Sequence, residues 1–79
     1  MIDTVTQKPM RVLTVETASS YIIVPVVQLE KVCELLRVND VPHWVSHHSI
    51  SVDGRPPVVW VNLRLKVDPV RVQEFLDAA

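Results

Sequence analysis

A chain of 79 residues with a single Cys and a formal charge of −1 is one domain near the lower size limit for a core-stabilised fold, and it has neither an internal disulfide nor a thiolate cluster for zinc. Eight basic against nine acidic side chains supply no general field for attracting nucleic acid or an anionic membrane, so neither is expected as a partner. No window approaches the ~18 apolar residues of a membrane span and the start is not that of a signal peptide, which makes the cytoplasm the expected location and self-association the remaining route to extra burial.

Residues 1–9 are polar and end in Lys8-Pro9; they are expected as a flexible N-terminal arm ahead of a single α+β domain over 10–79. "MRVLTVET" (10–17) alternates apolar and polar residues and predicts the first strand. Thr17, Ala18, Ser19 and Ser20 read as a turn into "YIIV" (21–24), a continuous apolar run typical of a buried strand and closed by Pro25. From Val26 the period becomes helical, with Leu29, Val32, Cys33, Leu35 and Leu36 on one side and Gln28, Glu30, Lys31, Glu34 and Arg37 on the other. The helix is expected to stop at Asn39-Asp40, with Asn39 in a left-handed cap and Pro42 preventing continuation. Strands over 43–52 and 57–67 flank Asp53-Gly54, the strongest short hairpin signal in the chain. Asp68 then caps a last helix that opens on Pro69 and turns Val72, Phe75 and Leu76 inward.

The order is ββαββα. A right-handed link from strand two through the first helix, with each hairpin paired to itself, makes strands two and four neighbours. The expected product is a four-stranded antiparallel sheet in order 1-2-4-3 with two helices on one face, like a circularly permuted ferredoxin-like fold. Such a fold carries no function by itself.

His43, His47 and His48 fall within six positions and invite a metal or catalytic reading. Side chains alternate along a strand, so His47 and His48 point apart, and His43 and His47 lie roughly 13 Å from each other, beyond the reach of one ion. No metal and no cofactor is expected. In strand four Val59, Val61, Leu63, Leu65 and Val67 alternate with Trp60, Asn62, Arg64 and Lys66, and the odd positions are expected to face the helices. For Trp44, Ile50 and Val52 to join them, strand three must pair even positions with odd ones, which a two- or four-residue loop allows. His48 then lies under the helices, hydrogen-bonded to a carbonyl or to Ser46, while His47 reaches the open face beside Trp60 or Asn62. Cys33 reads as a buried small hydrophobe, and the carboxylates, with Glu30 and Glu34 one turn apart, as a solvated face.

On that register His43, Val45, His47, Val58, Trp60, Asn62, Arg64 and Lys66 form one surface that no helix of this chain covers. An exposed Trp among Val, with polar and basic neighbours, has the composition of an interface. Sheets that bind single-stranded nucleic acid use an aromatic platform with Arg and Lys nearby, but ordinarily two or more aromatics, and only Trp60 is expected here. A second copy of the chain, forming a dimer, is the expected cover.

From Leu29 to Leu76, the run of helix, "SHH" on a strand, "DGR" turn, strand and final helix resembles the HicA-type messenger-RNA interferases. The resemblance implies a ribonuclease whose catalytic histidine is His47. The chain departs from that family's pattern in carrying Val45 where the motif has Gly, in two strands that precede the first helix, and in a pI of about 6.2. The leading expectation is therefore a non-enzymatic binding module that acts as a homo-oligomer. Its rivals are a ribonuclease using His47 and a small-molecule sensor, its ligand unidentified, with a pocket between subunits.

Overall fold

The computed structural model describes the chain apart from residues 16, 17, 47, 48, 50, 52, 53 and 55. In chain order the elements are β1 (Val12–Val15), β2 (Ala18–Pro25), a 3-10 turn (Val26–Gln28), α1 (Leu29–Val38), β3 (His43–Val45), β4 (Val58–Leu63) and α2 (Pro69–Ala78). The four strands form one antiparallel sheet in the order β1-β2-β4-β3. This is the small α+β arrangement that the chain order predicts.

The core follows from alternation. Ile22 pairs with Val61 and Val24 with Val59, which puts all four on one face of the sheet. Val32 and Leu36 of α1 and Val72 and Leu76 of α2 join Ile22, Val24, Val61, Leu63, Met10 and Val41 in a single buried cluster. Both amphipathic helices therefore cover the same face. Each fully buried aliphatic side chain contributes about 1.5–3 kcal/mol, an upper figure because the unfolded chain already hides part of its surface.

Local chemistry sets the helix ends. At the C-terminus of α1 the Val41 N–H donates to the Leu36 carbonyl (2.8 Å) and the Asp40 N–H to the Arg37 carbonyl (3.1 Å), the paired bonds of a Schellman cap. The left-handed residue is Asp40 (φ 54°), while Asn39 sits at φ −94° and donates its side-chain amide to the Leu35 carbonyl. The cap is thus one residue later than expected: the αL position must follow the last helical carbonyls, and Asn39 is still engaged with them. At the start of α2 the Asp68 carboxylate accepts from the Val70 N–H (2.9 Å), and Pro69 takes the first helical position. Asp68→Ala is expected to cost about 1 kcal/mol, read as a lower urea midpoint with an unchanged slope.

β1 is an edge strand, and α2 covers its outer side with one side chain. Gln73 Oε1 accepts from the Val12 N–H (2.8 Å), and its Nε2 donates to the Met10 carbonyl (3.0 Å). A primary amide here occupies the two positions that a neighbouring strand's peptide group would fill.

Residues 1–9, expected as a loose arm, lie against the body. The chain doubles back through an Ile2–Pro9 bridge, and Met1 packs on the core cluster while its ammonium donates to the Leu76 carbonyl. Asp3 is buried at 8% exposure and accepts the Val5 and Thr6 N–H groups on one carboxylate oxygen. Gln28 ties the loop to the start of α1, donating to the Ile2 carbonyl and accepting from the Thr4 N–H.

Four expectations about the strands are corrected. β2 begins at Ala18 rather than Tyr21, because the small residues Ala18 to Ser20 pair in the sheet instead of turning. β4 ends at Leu63, so Leu65 does not reach the core and is 80% exposed. β3 pairs odd positions with odd ones, His43 with Leu63 and Val45 with Val61, and Trp44 stands opposite Asn62. The expected even-to-odd register assumed that Trp44 must meet the apolar side of β4. Val41, just ahead of the strand, takes that core role, and Trp44 is left 48% exposed. β3 also ends at Val45 rather than at 52, and β4 starts at Val58, so Gly54, in a turn at φ 73°, lies in the long connection between them and not between two directly abutting strands. The expectations for His47, His48, Ile50, Val52 and Asp53 lie outside the described residues.

Candidate interaction face

The pairing registers assemble the face opposite the helices row by row. Leu13 stands beside Tyr21, Tyr21 beside Asn62, and Asn62 beside Trp44, a line crossing all four strands. The next row sets Ile23 beside Trp60, with Ser46 on the far side of Trp60, where its N–H and its hydroxyl both donate to the Trp60 carbonyl at 3.0 Å. Val58, opposite Pro25, begins a third row. Tyr21 and Trp60 are diagonal neighbours, and their rings stack at 4.9 Å between centroids and 19° between planes. None of these described residues carries a carboxylate.

Of the residues expected on this face, Val58, Trp60 and Asn62 are there. His43 and Val45 are not: paired with Leu63 and Val61, they point to the helix side, where Val45 packs on the core. Arg64 and Lys66 follow the end of β4 and line a cleft near α2. His47 lies outside the described residues. Tyr21, Ile23, Leu13 and Trp44 were missed. The signal for the first two was in the sequence, since Tyr21 and Ile23 alternate with the buried Ile22 and Val24, but a continuous apolar run hides its own alternation.

Chemistry of an acid–base or nucleophilic kind has a different candidate, the broad groove of about 720 Å³ between α1 and β3, lined by Glu30, Cys33, Glu34, Arg37 and His43 among others. Burial pushes the Cys33 thiol up from its ordinary value, the opposite of nucleophile activation. Cys33 is half-buried rather than a full core residue. His43 Nδ1 donates to the Val41 carbonyl at 2.8 Å, which orients the ring by a bond to its own turn. Glu34 and Arg37 form an exposed pair at 3.8 Å, worth little in water. No group of three or more His, Cys, Asp or Glu side chains among the described residues is arranged to hold a metal ion, and no helix among them is long and apolar enough to cross a membrane.

Comparison with family models, curated proteins and solved structures finds no match for this chain.

Proposed function

We propose that the protein is a non-enzymatic interaction module that self-associates through its open sheet face. The observation that carries this reading is the concentration of Leu13, Tyr21, Ile23, Trp44, Val58 and Trp60 on one surface that has no carboxylate among its described residues, with Trp44 and Trp60 exposed at 48% and 40%. Scattered exposed apolar residues are ordinary, whereas six together rimmed by Asn and Ser have the composition of an interface centre. A domain with extents of 35 × 27 × 19 Å has a broad side large enough for the roughly 800 Å² per partner of a standard interface. A small domain without a disulfide also gains stability from that burial.

The three aromatics favour single-stranded nucleic acid as a second reading, since such sheets stack bases on exposed rings. The stacking of Tyr21 on Trp60 at 4.9 Å weighs against it, because each ring spends one face on the other and presents its edge outward. Packing against a second apolar sheet suits that geometry better.

Light scattering at micromolar concentration is expected to give at least twice the 9.0 kDa chain mass, and Trp60→Glu, which puts a charge into a desolvated contact, is expected to return a folded monomer. A parent protein that is monomeric, or a Trp60→Glu variant that stays associated, would overturn the reading. Binding of a fluorescent single-stranded oligonucleotide that is lost in Trp44→Ala would replace it by the nucleic-acid reading. RNA cleavage by the parent that disappears in a folded His47→Ala variant would replace it by a ribonuclease.

A further inference from the structure

The sheet face leaves three cations unexplained. β4 ends at Leu63, and a turn closed by the Val67 N–H on the Arg64 carbonyl (3.0 Å) carries Arg64 and Lys66 away from the aromatic rows toward the start of α2. There Arg64, Lys66 and Arg71 line a single cleft of about 270 Å³ whose apolar walls include Val41, Val67 and Phe75. The Arg71 guanidinium lies over the Phe75 ring at 5.6 Å from its centroid, a contact that restrains a long side chain and holds its charge at the cleft.

Two carboxylates share the lining, and neither pairs with a cation of this group, so three positive side chains stand against two negative ones. Asp68 is committed to the Val70 N–H as the cap of α2. Asp40 belongs to the left-handed turn after α1. Among the described residues neither forms an ion pair with Arg64, Lys66 or Arg71; the pair present is Glu34–Arg37, on α1. The lining keeps an excess of one positive charge, and an anion entering it meets three cationic side chains without breaking an ion pair among the described residues.

We propose that this cleft binds a phosphoryl group carried on a small apolar body. Two guanidinium forks and one ammonium suit a tetrahedral dianion, whose oxygens can meet all three, better than a planar carboxylate, which is satisfied by a single fork. A volume of about 270 Å³ leaves room beside the phosphate for a group no larger than a ring, against Val67 and Phe75, at the lower end of the range for ligand pockets. None of these residues lies on the open sheet face, so the site stands or falls separately from self-association.

The test is a titration of the isotope-labelled full chain, followed by amide NMR, with inorganic phosphate and with phenyl phosphate as probes. Saturable shifts confined to residues 39–42 and 64–72 and to Phe75, which line the cleft, are expected, with phenyl phosphate at least tenfold tighter than inorganic phosphate. Arg64→Gln and Arg71→Gln are each expected to weaken phenyl phosphate at least fivefold, and Lys66→Gln by a smaller factor. Lys31→Gln, on α1 away from the cleft, should leave it unchanged. The amide spectrum of each variant reports folding directly, and Lys66→Gln serves where Arg71→Gln disturbs α2. Shifts that never saturate or that spread over all basic residues, equal affinity for the two probes, or affinity indifferent to both Arg64→Gln and Arg71→Gln would each overturn the assignment.

Discussion

Leu36→Ala is expected to lower the melting temperature by roughly 8–40 °C. Leu36 is completely buried in the cluster that joins both helices to the sheet, and its carbonyl also holds the Val41 N–H in the cap of α1. Truncating a buried leucine costs about 2–5 kcal/mol, the spread reflecting how far the neighbours relax into the gap. Against a total stability of roughly 4–12 kcal/mol for a chain of this size, that is a large share, and about 4–8 °C of melting temperature accompanies each kcal/mol. Leu65→Ala is the matching control. The alternation of β4 assigns Leu65 to the same apolar side, yet it is 80% exposed and its removal should change stability by less than about 0.5 kcal/mol. Thermal melts of the two variants, followed by circular dichroism, decide the matter. Similar shifts for both would mean that β4 continues inward past Leu63.

Asp3→Ala should be the most damaging polar substitution, at about 0.5–1.5 kcal/mol, because it removes a buried side chain whose oxygen holds two backbone N–H groups. One carboxylate oxygen takes the Val5 and Thr6 N–H groups at 2.7 and 3.1 Å, while the main chain of Asp3 bonds Lys8 and Gln7 at 2.9 Å each. The residue closes the N-terminal loop on itself through both its side chain and its main chain. Asp3→Asn keeps an acceptor oxygen in place and should cost less than half as much. Urea titration gives the stability, and hydrogen exchange gives the location: the Val5 and Thr6 amides should lose protection in Asp3→Ala first. Unchanged exchange at those two amides would show that the loop does not rest on this side chain.

The features that were legible from the residues are those set by chain order and strong local signals. Strand order 1-2-4-3 follows from handedness and hairpin pairing, and the cap at Asp68 with Pro69 follows from two adjacent residues whose preferences agree. The inner sides of α1 and α2 follow from helical period alone, with Val32, Leu36, Val72 and Leu76 buried as their spacing requires. What failed was the face of β3. A one-residue change of register moves every side chain to the opposite side, and three paired residues on an edge strand give too little alternation to choose. The large apolar Trp44 looked like core, whereas the smaller Val41 and Val45 supply the packing there. Misreading that register also hid the site. It removed Trp44 from the open face, and reading "YIIV" as a continuous buried strand removed Tyr21, so three aromatics were counted as one. Residues 1–9 were illegible for another reason. Their order comes from Asp3, Gln28 and Leu76, partners up to 75 positions away, which no local pattern announces.

The Gln73 amide on β1 has a consequence best put in the language of step-growth polymers. A sheet protein with both outer strands available for pairing is a bifunctional monomer, and its copies can join end to end without limit, which is the route to fibres. With the Met10 carbonyl and the Val12 N–H occupied by Gln73, the start of β1 is closed to such joining, while among the described residues β3 pairs on one side only. Two copies that met through β3 would present at each extremity a β1 whose first pairing positions are already taken, and further joining there would have to displace Gln73.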